Sequence, residues 1–237
     1  MTTRYITNIR KKRAKGKPIS VAILAAGTGS KIKSYEPRSL IKIQGQCLVE
    51  HQINALDKSL PGADVITVVG CHAQRVVRKI KGRCRIVENQ LHDKSNSSES
   101  LRLAFNNTTS DKFLFCHGDI LFNPECLKVD YDKSFVIIDN SGMMKDNEVG
   151  ITMNDGKLSI MSYGLPIKWG QIAYFTGKEH KMLRSILQKF EPKDKKRLSF
   201  EIINEIVMNG GSFECYDPTK KSLLEIDRIK DKDLWQI

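Results

Sequence analysis

The chain has 237 residues, 40% hydrophobic and 28% charged, with 39 Lys and Arg against 27 Asp and Glu for a net charge of +12. That length suits one domain with a sizeable core, and the composition is ordinary for a globular protein. No apolar run approaches the ~20 residues of a membrane span, and the first residues lack the apolar stretch of a signal peptide. The six cysteines (Cys47, Cys71, Cys84, Cys116, Cys126, Cys215) form no Cys-x-x-Cys and no zinc-like spacing. The expectation is therefore a reduced, cytoplasmic protein.

Residues 1–18 hold seven Lys or Arg and no acid, which leaves only +5 for the rest of the chain. This basic arm reads as a contact for nucleic acid or another partner, or as a solvated, flexible extension. It has no aromatic residue beyond Tyr5, which favours the extension. The expected division is an arm over 1–18 and one domain over 19–237. The residual +5 suits a protein that handles anionic substrates.

Residues 21–24 are an apolar run of strand length that breaks into Ala25, Ala26, Gly27 and Gly29. A strand running into glycines lets backbone N–H groups point outward together and lets a phosphate approach closely. Lys31 and Arg38 follow with fixed positive charge. An ordinary strand-to-helix turn would give the same glycines. A dinucleotide fingerprint needs a third glycine where Ile32 stands, and a Walker loop needs Gly-Lys-Ser/Thr, which is absent.

Residues 47–60 place Leu48, His51, Ile53 and Leu56 at helical spacing and stop at Pro61-Gly62. A strand over 64–70, a helix over 72–80 and a strand over 83–87 follow. This β-α-β-α-β order implies parallel strands with crossover helices, and such sheets bind ligands at the carboxyl ends of their strands. The glycine loop sits at one such end. Asn89 closes the third strand. Asn96 or Ser97 can cap a helix over 96–104, with Glu99 or Ser100 in its first turn. The same amides and hydroxyls could instead meet a nucleobase or ribose.

A strand over 112–118 delivers Asp119 directly past its end, as a turn residue or as a cation ligand. His117 is given no catalytic role. After a strand over 136–139, residues 148–153 and 157–163 form a hairpin around Asn154-Asp155-Gly156. In the strand over 169–175, Trp169 and Tyr174, with Tyr163 before it, are packing residues or the walls of an acceptor pocket able to take a quaternary amine. Amphipathic helices over 177–190 and 199–208 flank a charged segment at 191–197. A strand over 213–216 and the sequence Leu224-Glu225-Ile226-Asp227 complete the pattern.

The run Leu24-Ala25-Ala26-Gly27-x-Gly29-Ser30-Lys31, then Pro37-Arg38-Ser39-Leu40, resembles the signature of the nucleotidyltransferases that make NDP-sugars and CDP-alcohols. That signature reads Leu-Ala-Ala-Gly-x-Gly-x-Arg, then Pro-Lys-x-Leu. Lys31 and Arg38 exchange its two basic residue types. The stretch after Asn89, with Asn96 to Leu101, is similar to the Asn-Asn-x-x-Ser-Leu of phosphocholine cytidylyltransferases. Asp119 matches a strand-ending metal aspartate, residues 169–175 a Gly-Ile-x-x-Phe strand, and Asp227 the late second metal aspartate, with Glu225 a weaker candidate. The Glu-Lys-Pro of many sugar nucleotidyltransferases is replaced here by Ser162-Tyr163-Gly164.

The resemblance covers about residues 20–237 and implies a GT-A-like α/β three-layer sandwich with a mostly parallel mixed sheet. It implies that Leu24, Ala25, Ala26, Gly27 and Gly29 hold a triphosphate, and that Arg38 and Lys31 offset charge in the transition state. Asn89, Asn96, Ser98 and Ser100 would meet base or ribose. Asp119 and Asp227 would bind Mg²⁺, and Lys42, Trp169 and Tyr174 the acceptor. The reaction it implies is attack by an acceptor phosphate on the α-phosphorus of an NTP, CTP favoured, with release of pyrophosphate. The acceptor would be a sugar 1-phosphate or phosphocholine-like. Two other readings stay open: a catalytically silent nucleotide-binding or nucleic-acid-tethered protein, and a GT-A glycosyltransferase.

Overall fold

Residues 18–27, 37–140, 147–218 and 222–226 are described in the computed structural model. The basic arm up to residue 17, Gly29, Lys31 and Asp227 lie outside them. β1 (Ser20–Ala25) is buried at every position, as an apolar run must be when both sheet faces are covered. A 3-10 turn (Arg38–Leu40) and two short strands, β2 (Lys42–Ile43) and β3 (Gln46–Cys47), lead into α1 (Leu48–Ser59). Then come β4 (Asp64–Val69), α2 (Ala73–Ile80), β5 (Arg85–Glu88), α3 (Ser97–Asn106), β6 (Phe113–His117) and β7 (Ile120–Phe122). The second half holds β8 (Phe135–Asp139), β9 (Val149–Asn154), β10 (Lys157–Tyr163), β11 (Ile167–Phe175), α4 (Gly177–Gln188), α5 (Ser199–Met208), β12 (Glu214–Tyr216) and β13 (Leu223–Glu225).

The nine-stranded sheet has the order β5-β4-β1-β6-β11-β8-β12-β10-β9, with β9 also pairing β11. The strands β5-β4-β1-β6 are parallel. β11 runs antiparallel to β6, and from there the sheet is mixed. Successive side chains of β1 enter opposite cores, as the pleat requires. Val21 and Ile23 join Ile53, Leu56 and Val76 beneath α1 and α2. Ala22 and Leu24 join Phe105, Leu183 and Ile203 beneath α3, α4 and α5. The result is the expected three-layer α/β sandwich. Among the described residues, no helix is long and apolar enough to cross a membrane.

Two local features mark the second half of the sheet. The expected hairpin forms with β9 antiparallel to β10, and its turn takes Asp155 at φ +49° and Gly156 at φ +74°, the left-handed pair of a two-residue I′ turn. β11 is not one straight strand. Its register against β8 slips between Trp169 and Ala173, and Gln171 has φ +58°. This irregularity lets the first half of β11 pair with β9 and the second with β6.

Candidate active site

A cavity of about 590 Å³ opens where β1 and β6 end, the end of a parallel sheet at which ligands are expected. Leu24, Ala25, Ala26 and Gly27 form one wall. A Cβ built on Gly27 would meet nothing within 4 Å among the described residues. Gly118 is packed tightly instead: a Cβ there would stand 2.7 Å from Ala25 Cα. Its absence lets the turn after β6 lie against the end of β1.

That turn carries Asp119. Arg38 Nη1 donates to Asp119 Oδ2 across the cavity wall, so two residues far apart in sequence meet. Asp119 Oδ1 is buried without a hydrogen-bond partner among the described residues. An acceptor oxygen left in that state fits a hard cation, which prefers carboxylate ligands. Among the described residues no cluster of three His, Cys, Asp or Glu could hold a metal; Asp227 lies beyond them. The approach to it is fixed, however. Ile226 N donates to the Asp119 carbonyl at 2.8 Å, and β13 pairs antiparallel with β7, placing Glu225 opposite Ile120.

Two strong features were missed from sequence. Lys168 lines the cavity and its Nζ lies 2.7 Å from Glu148 Oε1 and 3.0 Å from Glu225 Oε2. Burial pulls its pKa down, but Glu225 and Glu148 outweigh that and leave it raised. His117 also lines the cavity, with Nε2 2.8 Å from Ser199 Oγ and its ring edge-on to Trp169 at 5.5 Å. Burial lowers its pKa, which favours the neutral imidazole.

The expected base-binding residues divide. Asn89, Asn96 and Ser100 line the cavity. Asn89 spends its amide internally: Nδ2 donates to Ser95 and Ser100 hydroxyls at 3.1 Å, and Oδ1 accepts from Leu91 N. It shapes the loop over 89–95, from which His92, Asp93 and Ser95 reach the cavity. Ser98 is a correction. It is fully buried, donates to the Asp194 carbonyl at 2.9 Å and does not line the cavity, because the start of α3 docks on residues 194–199.

The acceptor set is corrected as well. Trp169 borders the cavity, although its ring is 2% exposed. Tyr174 lies in the opposite core, stacked on Phe135 at 5.0 Å with its hydroxyl donating to the Tyr131 carbonyl. It cannot wall the cavity. Lys42 is exposed on β2 and lines no part of it. The residues that do line that end with Trp169 are Glu148, Tyr163, Lys168, Phe200 and Glu225.

Comparison with known proteins agrees with this architecture. Residues 21–129 match the MobA-like NTP transferase domain. The Bifunctional protein GlmU of Alcanivorax borkumensis is 26% identical over 146 residues, which is 60% of this chain and 32% of that protein. GlmU of Koribacter versatilis is 39% identical over 57 residues, 24% of this chain and 12% of that protein. The chain thus spans about a third or less of these relatives' length. Among solved structures, the CTP:phosphocholine cytidylyltransferase LicC from Streptococcus pneumoniae superposes with a TM-score of 0.76 at 18% identity, over 92% of this chain and 97% of that one. The inositol-1-phosphate CTP transferase from T. maritima gives 0.73 at 18% identity, over 90% of each. These matches establish the fold as that of the GT-A-like nucleotidyltransferases.

Proposed function

With a MobA-like NTP transferase domain at residues 21–129 set in this fold, we propose that the chain is a nucleotidyltransferase. It would join an NTP, CTP first among them, to a small phosphorylated acceptor and release pyrophosphate. The observation that carries this reading is Asp119. Its carboxylate stands at the mouth of the glycine-lined β1 wall, one oxygen held by Arg38 and the other buried without a partner among the described residues. CTP leads because two of the structures that share this fold are named for it.

The acceptor phosphate is already a nucleophile, so the protein's task is positioning and electrostatics rather than proton abstraction. The β1 end, where Leu24 to Gly27 line the cavity, receives the triphosphate. Arg38 offsets charge that grows on the α-phosphate and the leaving group. Lys168 is the other Lys or Arg lining the cavity among the described residues, and it takes the acceptor phosphate. Asp119, with Asp227 from the chain end, would hold Mg²⁺. When bound, that ion offsets negative charge on both phosphates. Trp169, Tyr163 and Phe200 give the acceptor end an aromatic wall, and Glu148 and Glu225 give it acid, a setting for a phosphocholine-like or polyol acceptor.

The test is a pyrophosphate-release screen of four NTPs against sugar 1-phosphates, phosphocholine and phosphoethanolamine with Mg²⁺. CTP with one phosphorylated alcohol should turn over, and Asp119→Ala should lose at least about a hundredfold in kcat. Binding of nucleotide with no release for any acceptor would replace the enzyme by a silent nucleotide-binding protein.

A further inference from the structure

Gln52 lies on the apolar face of α1 and is fully buried among Leu48, Val49, Ile53 and Leu56. A primary amide in that position is costly unless its groups are bonded. Its Nε2 donates to the His117 carbonyl at 2.7 Å and to the Ile120 carbonyl at 2.8 Å, while its Oε1 is buried without a hydrogen-bond partner among the described residues. Both partners are carbonyls, which fixes the amide's orientation, since the flipped form would set oxygen against oxygen. The two bonded residues flank Gly118 and Asp119. Gln52 therefore grips both ends of the turn that presents the carboxylate.

The turn is gripped from other directions too. Gly118 N donates to the Leu24 carbonyl at 2.9 Å and Ile226 N to the Asp119 carbonyl at 2.8 Å. These are backbone-to-backbone bonds. Gln52 is the side chain added to them. The same helix braces the opposite side of the site: His51 Nε2 donates to the Ile43 carbonyl at 2.8 Å, and Leu48 N donates to the Ile41 carbonyl beside the Arg38–Leu40 turn. α1 thus sets the spacing between Arg38 and Asp119.

We propose that Gln52 is a positioning residue for Asp119, holding the His117–Ile120 turn so that the carboxylate meets both Arg38 and a divalent cation. The idea rests on the proposed metal role of Asp119. Gln52→Met keeps the side chain's length and its burial but removes both donors. Mn²⁺ affinity measured by titration without nucleotide should fall about tenfold, and kcat by a similar factor, as for other groups that orient a metal ligand. KM for the NTP should stay within about twofold, because the β1 wall is untouched. Leu187→Ala, buried in the core beneath α4 and α5, serves as a variant destabilised without touching the turn, and its Mn²⁺ affinity should match the parent's.

Asp119→Asn completes the set. Loss of Mn²⁺ binding in Asp119→Asn but wild-type affinity and kcat in Gln52→Met would overturn the role of Gln52 and leave the metal reading intact. Mn²⁺ affinity unchanged in both variants would overturn the metal reading, and this inference with it. An equal loss of affinity in Leu187→Ala and Gln52→Met would reduce Gln52 to a purely structural residue.

Discussion

Burying Lys168 between Glu148 and Glu225 removes three charges from water, with the side chains 13%, 3% and 11% exposed. Each depends on the others, since desolvation of an ion is recovered only through good pairing. Lys168→Met should therefore cost about 3 kcal/mol of stability, the usual consequence of stripping a buried pair of one partner. Adding Glu148→Gln and Glu225→Gln should recover most of that loss; urea unfolding of the single and triple variants checks both. None of the three was assigned this partnership from sequence. The motif residues Gly27, Arg38 and Asp119 were legible because their signals are local: a glycine break after an apolar run, a charge at a fixed interval, a carboxylate directly past a strand. Lys168 carries no such mark. It reaches the cavity on β11, the strand that slips in register between Trp169 and Ala173, and the period-two pattern gives no warning of a slip. Tyr174 is a different case: five positions after Trp169, it falls on the opposite face by plain alternation, and the structure places it in the other core.

The start of α3 is an element whose polar groups serve two purposes. Asn96 N donates to the Lys195 carbonyl at 2.7 Å, Ser98 Oγ to the Asp194 carbonyl at 2.9 Å, and Ser199 N to Ser97 Oγ at 2.8 Å. Docking on residues 194–199 thus uses Ser98 fully, while Asn96 still lines the cavity. Ser98→Ala should lower stability by about 1 kcal/mol, the typical worth of one buried hydrogen bond, with KM for the NTP unchanged. Asn96→Ala should raise that KM; steady-state kinetics beside thermal melts separate the two effects. The meeting of β1 with the turn after β6 is tighter still. Gly118→Ala would set a methyl 2.7 Å from Ala25 Cα, backbone against backbone, so a strand must shift. The expected result is a loss of about 2 kcal/mol or more and a fall in kcat larger than that of Ser98→Ala. Most elements fall within a few residues of their sequence expectation, and the helix over 199–208 matches to the residue. β7 and β13 did not show because each is short and pairs with a partner about a hundred residues away, Leu223 against Phe122. No window along the chain can contain both.

Across the whole molecule, buried ionisable groups set a pH window for stability. On the acid side, burial lowers the pKa of His117 and His180. Their native forms stay neutral while the unfolded chain takes up protons below its ordinary histidine value of 6.5. The unfolded state then binds more protons, and stability falls as the pH drops below about 6.5. On the alkaline side, burial raises the thiols, with Cys126 and Cys215 pushed up to about 12 and Cys116 also raised. It raises the Tyr174 hydroxyl to about 12 and that of Tyr131 as well. These groups keep their protons in the native state, while the unfolded chain begins to lose thiol protons near 9.0. Their contribution is complete below that value and is lost as the pH rises through it toward the native pKa. The slope should steepen toward about 1.4 kcal/mol per pH unit for each fully buried group. Lys168, also raised, adds to this limb only above its ordinary 10.5, as the ammonium held by Glu225 and Glu148 begins to deprotonate in the unfolded chain. Urea unfolding from pH 5 to pH 10 should thus give a plateau between about 6.5 and 9 with a fall on each side. The double variant Cys116→Ala with Cys126→Ala should be less stable at neutral pH, because two buried side chains are trimmed, yet show a visibly shallower alkaline fall. An alkaline slope as steep as the parent's in that variant would assign the fall to other groups, with Tyr131 and Tyr174 next to be tested by replacement with Phe.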